Sequence, residues 1–252
     1  MTTDIASALP AKPTPSLAHA FAPTGSLRAA INLGNPILVN RDPATGVPFG
    51  VSIDLATALA GQLGVPLELV LFDGAAKSVD ALRGGRADIG FFAIDPLRGD
   101  GIAFTAPYVL IEGSYLVRET SPLRDNAQVD APGLRVAVAE GSAYALFLKR
   151  ELKAAQLVSG DGAPGAAEAF DTGNLEVLAG IRQMLEAHAA SQPGLRLLPG
   201  RFMVIQQAMG CAQSRGDAAA AFLRGFVDAM KSSGFVAAAL KRHRIQGGSV
   251  AP

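Results

Sequence analysis

The chain has 252 residues with 22 Lys and Arg against 22 Asp and Glu, so it carries no net charge and lacks the basic footprint that a nucleic-acid partner demands. Hydrophobic residues make up 49% and charged residues 17%, a soluble α/β composition that excludes disorder as the dominant state. No apolar run approaches the roughly 20 residues needed to span a bilayer, and the length accommodates one large domain or two lobes of about 100 to 150 residues each.

The opening stretch, MTTDIASALPAKPTPSLAHAFAPTGS, has no basic segment followed by an apolar one and does not read as a secretory signal. Its Pro, Thr, Ala and Ser content predicts a disordered or extended leader over residues 1–24. Leu27 to Leu33 predict a strand closed by Gly34, Asn35 and Pro36, and the turn residues of NRDPATGVP predict a hairpin-like excursion before Phe49. In SIDLATALAGQLG, Ser52 is the expected N-cap, with Ile53, Ala56, Leu59 and Leu63 at helical spacing and Gly64 as the stop. VPLELVLF then predicts a strand, AKSVDALRGGR a helix ended by Gly84 and Gly85, and ADIGFFAI a buried strand. Strand, helix, strand, helix, strand is the parallel α/β pattern.

After Tyr108, VLIEGSYLVRE predicts one or two extended segments that leave this first unit. The alternation then repeats: GLRVAVAE as strand, GSAYALFLKREL as helix, AAQLV as strand, a Gly-rich turn at SGDGAPG, AAEAFDTG as short helix, NLEVLAG as strand and IRQMLEAHAA as helix. An extended RFMVIQQAMGCAQ follows, then the helices DAAAAFLRGFVDAMKSSG and FVAAALKRH, with KRHRIQ expected as a solvated helix end. Cys211, the single cysteine, excludes an intramolecular disulfide and any cysteine-based metal site; its apolar segment predicts a buried small hydrophobe.

The segments GVSIDLA from Gly50, GGRADIG from Gly84, AIDPLR from Ala93, FTAPY from Phe104 and the pair Gly141–Ser142 occur in an order and spacing that resemble the periplasmic solute-binding protein family 3, the amino-acid-type receptors of ABC importers. The resemblance runs from about Gly25 to about His243. It implies an α/β chain with the two-lobe type II periplasmic binding protein fold: two Rossmann-like lobes joined by two hinge strands near Val109–Tyr115 and Val204–Met209. The expected boundaries are 25–109 and 207–252 for lobe 1 and 110–206 for lobe 2.

The function implied is capture of a small carboxylate, an amino acid or related organic acid, between two closing lobes for an ABC importer. The implied protein is a monomer with no catalytic residue, no metal and no cofactor, whose partners are its ligand and a transporter permease. The family implies the periplasm; the absence of a visible signal leaves the cytoplasm open. Arg98 matches the arginine that grips a ligand carboxylate, and its planar donor fork suits that task in a way lysine does not. The alternative for Arg98 is a loop arginine paired with Asp95 or Asp100. Gly141 and Ser142 match the start of a helix whose N–H groups favour an anion, and Ser142 is equally a plain N-cap. Phe72 and Asn35 fall where ligand-sandwiching side chains are expected, Phe91 and Ala93 lie beside the arginine, and Tyr144 is expected to exclude water with Phe72.

The departures bear on the ligand. Ala93 replaces a hydroxyl residue that assists the arginine, and Asp95 stands where a turn with Pro96 needs a cap. Ile181 stands where the family has the aspartate that neutralises a ligand ammonium; Asp161, Asp171 or Glu140 would have to replace it, or the ligand has no ammonium. Gln206 and Gln207 are within the expected hinge. A second reading is an enzyme resembling the cyclohexadienyl dehydratases, with Glu140 or Glu176 as acid or base and no histidine in the motifs: His19 is in the leader, His188 on an exposed helix face and His243 in the basic end. A third is a ligand-sensing module without transport.

Overall fold

The computed structural model describes residues 12–252; the first part of the expected leader, residues 1–11, lies outside them. Contacts divide the chain into two units, the first comprising the residues up to Leu110 together with Gln206–Pro252 and the second Ile111–Ile205. No helix among the described residues is long and apolar enough to cross a membrane.

Among the described residues, the later part of the expected leader is helical and not extended: α1, Pro15–Phe21. Thr14 caps it through a bond from the Leu17 N–H, Pro15 supplies the fixed φ that suits a first turn, and Phe21 is fully buried against Phe222. The anchor that makes this helix stable lies far along the chain, which is why local composition pointed the other way. β1 (Leu27–Asn32), the hairpin β2 (Asn40–Arg41) and β3 (Pro48–Phe49), α2 (Val51–Leu63), β4 (Leu67–Phe72), α3 (Ala75–Arg83) and β5 (Ile89–Ala93) follow.

The N-cap of α2 is Gly50, not Ser52. Gly50 has φ 142°, and a Cβ there would lie 2.3 Å from the Leu38 carbonyl oxygen, so only glycine fits. Ser52 sits inside the helix and is buried because its hydroxyl meets the Tyr108 hydroxyl at 3.0 Å. The buried stripe accordingly runs through Val51, Leu55, Ala56, Leu59 and Leu63, with Ile53 only half-buried. Gly64 closes the helix in the left-handed region.

β1 pairs in parallel with β4 and β5. β6 (Ile102–Arg118) is a single strand that carries the chain out of unit 1, and β11 (Met203–Ala212) brings it back to pair antiparallel with β5. The helices α7 (Asp217–Ser232) and α8 (Phe235–Arg242) and the strand β12 (Gly248–Val250), which pairs with β6, complete the unit. Phe91 and Phe92 point to opposite faces of β5, and both faces are covered: Phe92 packs with Val79, Leu82 and Ile102, and Phe91 meets Tyr108 edge-on at 6.1 Å. Cys211 is buried as expected, and burial raises its pKa.

Unit 2 repeats the alternation with β7 (Arg135–Ala139), α4 (Ala143–Glu151), β8 (Gln156–Gly160), α5 (Gly162–Thr172), β9 (Val177–Ile181), α6 (Arg182–Ser191) and β10 (Leu195–Leu197). β7 pairs in parallel with β8 and β9, while β6 runs antiparallel to β9 and β10. The expected Gly-rich turn is already the first turn of α5. Gly160 and Gly165 have no side chains between them, and their backbones approach so closely that a Cβ on Gly160 would lie 2.2 Å from the Gly165 carbonyl carbon.

Each unit ties the amino ends of its parallel strands with an acid and an arginine. In unit 1, Asp88 accepts from the Arg28 backbone N–H at 2.9 Å and from its guanidinium at 3.0 and 2.8 Å. In unit 2, Glu176 accepts from the Arg135 backbone N–H at 2.9 Å and from its guanidinium at 3.0 and 2.7 Å. Unit 2 has a second ionic junction, where Glu112 binds Arg182 and Arg201, each at 2.7 Å.

Glu176 and Glu112 are both held below the ordinary value of 4.5, chiefly by the hydrogen bonds of Arg135 and Arg201 respectively. A depressed folded-state pKa means that the unfolded chain takes up protons first as pH falls. The stability these pairs add is therefore complete above the ordinary carboxyl value and is lost as pH falls through the depressed folded values. We expect the urea midpoint of the protein, followed by far-UV circular dichroism, to fall as pH drops through and below the ordinary carboxyl value of 4.5. Glu176→Gln with Glu112→Gln should flatten that dependence; an unchanged slope would refute it.

Candidate functional site

The parallel strands of unit 1 bring several of the sequence-identified residues to one edge. The carboxyl ends of β4 and β5 carry Phe72 and Ala93, the turn after β1 carries Asn35, and the loop after β5 carries Arg98. Open α/β sheets bind ligands at this edge, because strand ends release loops there. Asn35 is buried and shapes its own turn: its Oδ1 accepts from the Ile37 N–H at 3.1 Å and its carbonyl from Leu38 and Val39. Phe72 is half-buried with the Arg86 guanidinium 5.8 Å from its ring centre. Ala93 pairs with Gln207, which is buried, whereas Gln206 is exposed and accepts through its carbonyl from the Ile94 N–H. Phe91 is interior, so its ring serves the core contact with Tyr108.

Arg98 is 5% exposed. Burial pushes its pKa down to about 10, with the nearby charge of Asp95 opposing the shift and that of Arg83 adding to it. The guanidinium therefore remains cationic at neutral pH. Asp95 accepts from the Leu97 N–H at 2.9 Å, and its carbonyl accepts from Arg98 and Gly99, so it caps the turn that presents the arginine.

Arg83, at the end of α3, was not singled out from the sequence. It holds the same loop from outside by donating to the carbonyls of Asp100 and Leu97, each at 3.1 Å, and Arg98 at 3.4 Å. The one signal for it is a basic residue in the last turn of a helix, which is too common to identify a role.

The corresponding edge of unit 2 carries Gly141, Ser142 and Tyr144 after β7, Asp161 after β8 and Ile181 at the end of β9. Ser142 is the N-cap of α4, and its Oγ accepts from the Ala145 N–H at 3.1 Å. Gly141 takes φ 64° to turn the chain into that cap. Burial raises the pKa of Tyr144, with the neighbouring Ser142 side chain and Ala139 backbone opposing the shift. Its ring forms one wall of an open-mouthed pocket of about 210 Å³, whose other walls are the start of α5, the end of β9 and one face of α6.

Several expectations change. Glu176 lies at the amino ends of the strands, bound to Arg135, and is away from the edge where ligands bind. His188 is not on an exposed face: it lines the pocket and meets Asp171 at 3.3 Å. Asp171 also accepts from Gln192, so this acid is committed to its own helix pair. His243 is not in a solvated end either; its Nε2 meets Asp54 at 2.7 Å, beside Arg242.

The model of the bacterial extracellular solute-binding proteins, family 3, matches residues 27–244. Among curated proteins, none matches the chain by sequence. Similar solved structures include a mutant of ArgBP from T. maritima, at 19% identity and a TM-score of 0.75 over 91% of this chain and 100% of that one. The solute receptor for L-cysteine of Neisseria gonorrhoeae has 24% identity and a TM-score of 0.74 over 90% and 92%. An ancestral amino-acid-binding protein, a precursor of cyclohexadienyl dehydratase, has 20% identity and a TM-score of 0.73 over 91% and 99%. At these identities the likeness establishes the fold, which is the type II periplasmic binding protein fold. With the family model covering most of the sequence, the chain belongs to the bacterial extracellular solute-binding proteins, family 3.

Proposed function

We propose that this chain captures a small carboxylate-bearing solute, an amino acid or a related organic acid, outside the cytoplasm and delivers it to the permease of an ABC importer. The observation that supports this most is Arg98: a nearly buried guanidinium, still cationic at neutral pH, on a loop fixed by Asp95 within and by Arg83 without. A guanidinium presents a planar donor fork that a ligand carboxylate fills with two parallel hydrogen bonds, which a lysine does not reproduce. Ser142 and the N–H groups that open α4 are unit 2's contribution, with Gly141 giving the ligand close access to that backbone. Phe72, Asn35, Ala93 and Tyr144 complete the contacts at the two strand edges. Similar proteins whose structures hold L-arginine or lysine lend the carboxylate reading further support.

The test is a thermal-shift and calorimetric panel of amino acids, keto acids and aliphatic acids on the wild-type chain, Arg98→Lys and Arg98→Ala. A true ligand at 100 times its Kd should add about 2.7 kcal/mol to the wild type. Arg98→Lys keeps the charge but loses the fork and should weaken binding at least about tenfold, and Arg98→Ala should abolish it. Equal affinity in wild type and Arg98→Ala would remove the arginine from the site and this reading with it.

A further inference from the structure

We propose that Arg83 is a positioning residue for solute binding: by holding the carbonyls of Leu97, Arg98 and Asp100, it keeps the loop after β5 in the conformation that presents Arg98 to a carboxylate. The proposal lies wholly within unit 1 and rests on the carboxylate reading above. The loop, residues 94–101, lacks a hydrophobic anchor, because its large apolar side chains, Ile94 and Leu97, are 40% and 58% exposed. Gly99 and Gly101 add conformational freedom. Hydrogen bonds must therefore fix it. Its ends are tied to β11 and the segment after it, where the Ile94 N–H donates to the Gln206 carbonyl at 2.8 Å and the Gln213 N–H to the Gly101 carbonyl at 2.9 Å. Between these ends, the N–H groups of Leu97, Arg98 and Gly99 all go to Asp95, and that of Ile102 goes to the Gly99 carbonyl. These bonds close the turn on itself. Arg83 ties it to a helix: Nε donates to the Asp100 carbonyl at 3.1 Å, and Nη2 to those of Leu97 at 3.1 Å and Arg98 at 3.4 Å.

The base of Arg83 is well placed for this. It ends α3, and Leu82 beside it packs with Val79, Phe92 and Ile102, a buried cluster that joins α3 to β5 and to the first residue of β6. The same cluster thus carries the helix end that donates and the strand into which the loop runs. A planar guanidinium with five donors serves three carbonyls at once, whereas the single tip of a lysine does not. Charge alone would not confer the role. The positive charge of Arg83 lowers the pKa of Arg98, so its contribution to the site lies in the hydrogen bonds that hold the loop. A solute that needs Arg98 in place then binds with an affinity reduced by whatever fraction of molecules has the loop displaced.

The test pairs hydrogen–deuterium exchange of the solute-free full chain, read peptide by peptide, with isothermal titration using the common amino acids, pyruvate, 2-oxoglutarate and propanoate as probes. Arg83 is exposed, so Arg83→Ala should fold normally. Exchange over residues 95–102 should rise at least about fivefold in that variant, while α3 and β5 exchange as in the wild type. Affinity for every probe that the wild type binds should fall at least about threefold, which corresponds to a loop in place about a third of the time. Arg83→Lys keeps the charge without the fork and should stay closer to Arg83→Ala than to the wild type in both readouts. Unchanged loop exchange in Arg83→Ala, faster exchange with unchanged affinity, or full recovery by Arg83→Lys overturns the proposal and leaves the carboxylate reading standing. If the wild type binds none of the probes, the carboxylate reading fails and the role in binding with it, whereas loop exchange still shows whether the clamp exists.

Discussion

Asp88→Ala is expected to destabilise the protein by about 3–5 kcal/mol, the range found when one partner of a buried ion pair is removed. Asp88 is 0% exposed and accepts three hydrogen bonds from Arg28 and a fourth from Arg215. Arg215 in turn donates to the carbonyl of Ala20 in α1, so one carboxylate joins β1, the start of β5, the segment before α7 and the N-terminal helix. Alanine would leave those donors facing a gap that cannot be filled by a side chain. The equivalent change in unit 2, Glu176→Ala, should cost only about 1 kcal/mol. The same acid–arginine motif is used there, but the side chains of Arg135 and Glu176 are 38% and 32% exposed, so water already competes for the pair. Urea unfolding of both variants, followed by circular dichroism, measures the contrast. Equal losses would mean that burial does not set the strength of these clamps.

The two clamps also show where sequence reasoning stops. Strands and helices were legible because their signals are local: β-branched and aliphatic runs, helical spacing in α2, and glycines at its end and after α3. The burial of Arg98 had no local signal, and the order of several weak segments was the only thing that singled the residue out. What failed was set at long range. Ser52 looks like a cap, yet Tyr108, 56 residues on, draws its hydroxyl into the core. Residues 15–21 read as a loose leader because Phe222 and Arg215 are not neighbours in sequence. Glu176 looked free to act as an acid until its partner 41 residues away was known. Arg83 gave no sign that it holds the arginine loop, since its acceptors are carbonyls, which every residue has. Pattern finds elements, but polar partners are chosen by the fold.

Gly160→Ala is expected to cost at least about 3 kcal/mol, at or beyond the upper end of overpacking penalties, because the obstacle is main chain. The new Cβ would lie 2.2, 2.3 and 2.4 Å from the carbonyl carbon of Gly165, the nitrogen of Ala166 and the carbonyl oxygen of Gly165. No rotamer change relieves such a contact, so α5 must move off β8 or its first turn must unwind. Ala163 and Pro164 would move with it, and they are pocket walls. The substitution should therefore lower stability and distort the pocket that these residues line. Gly61→Ala provides the opposite sign. Gly61 lies within α2 with nothing inside 4 Å of a built Cβ, so alanine there should stabilise by about 0.5–1 kcal/mol through restriction of the unfolded chain. The two substitutions add the same methyl group, and their urea midpoints should move in opposite directions. If Gly160→Ala proves neutral, α5 does not rest on β8 through these glycines.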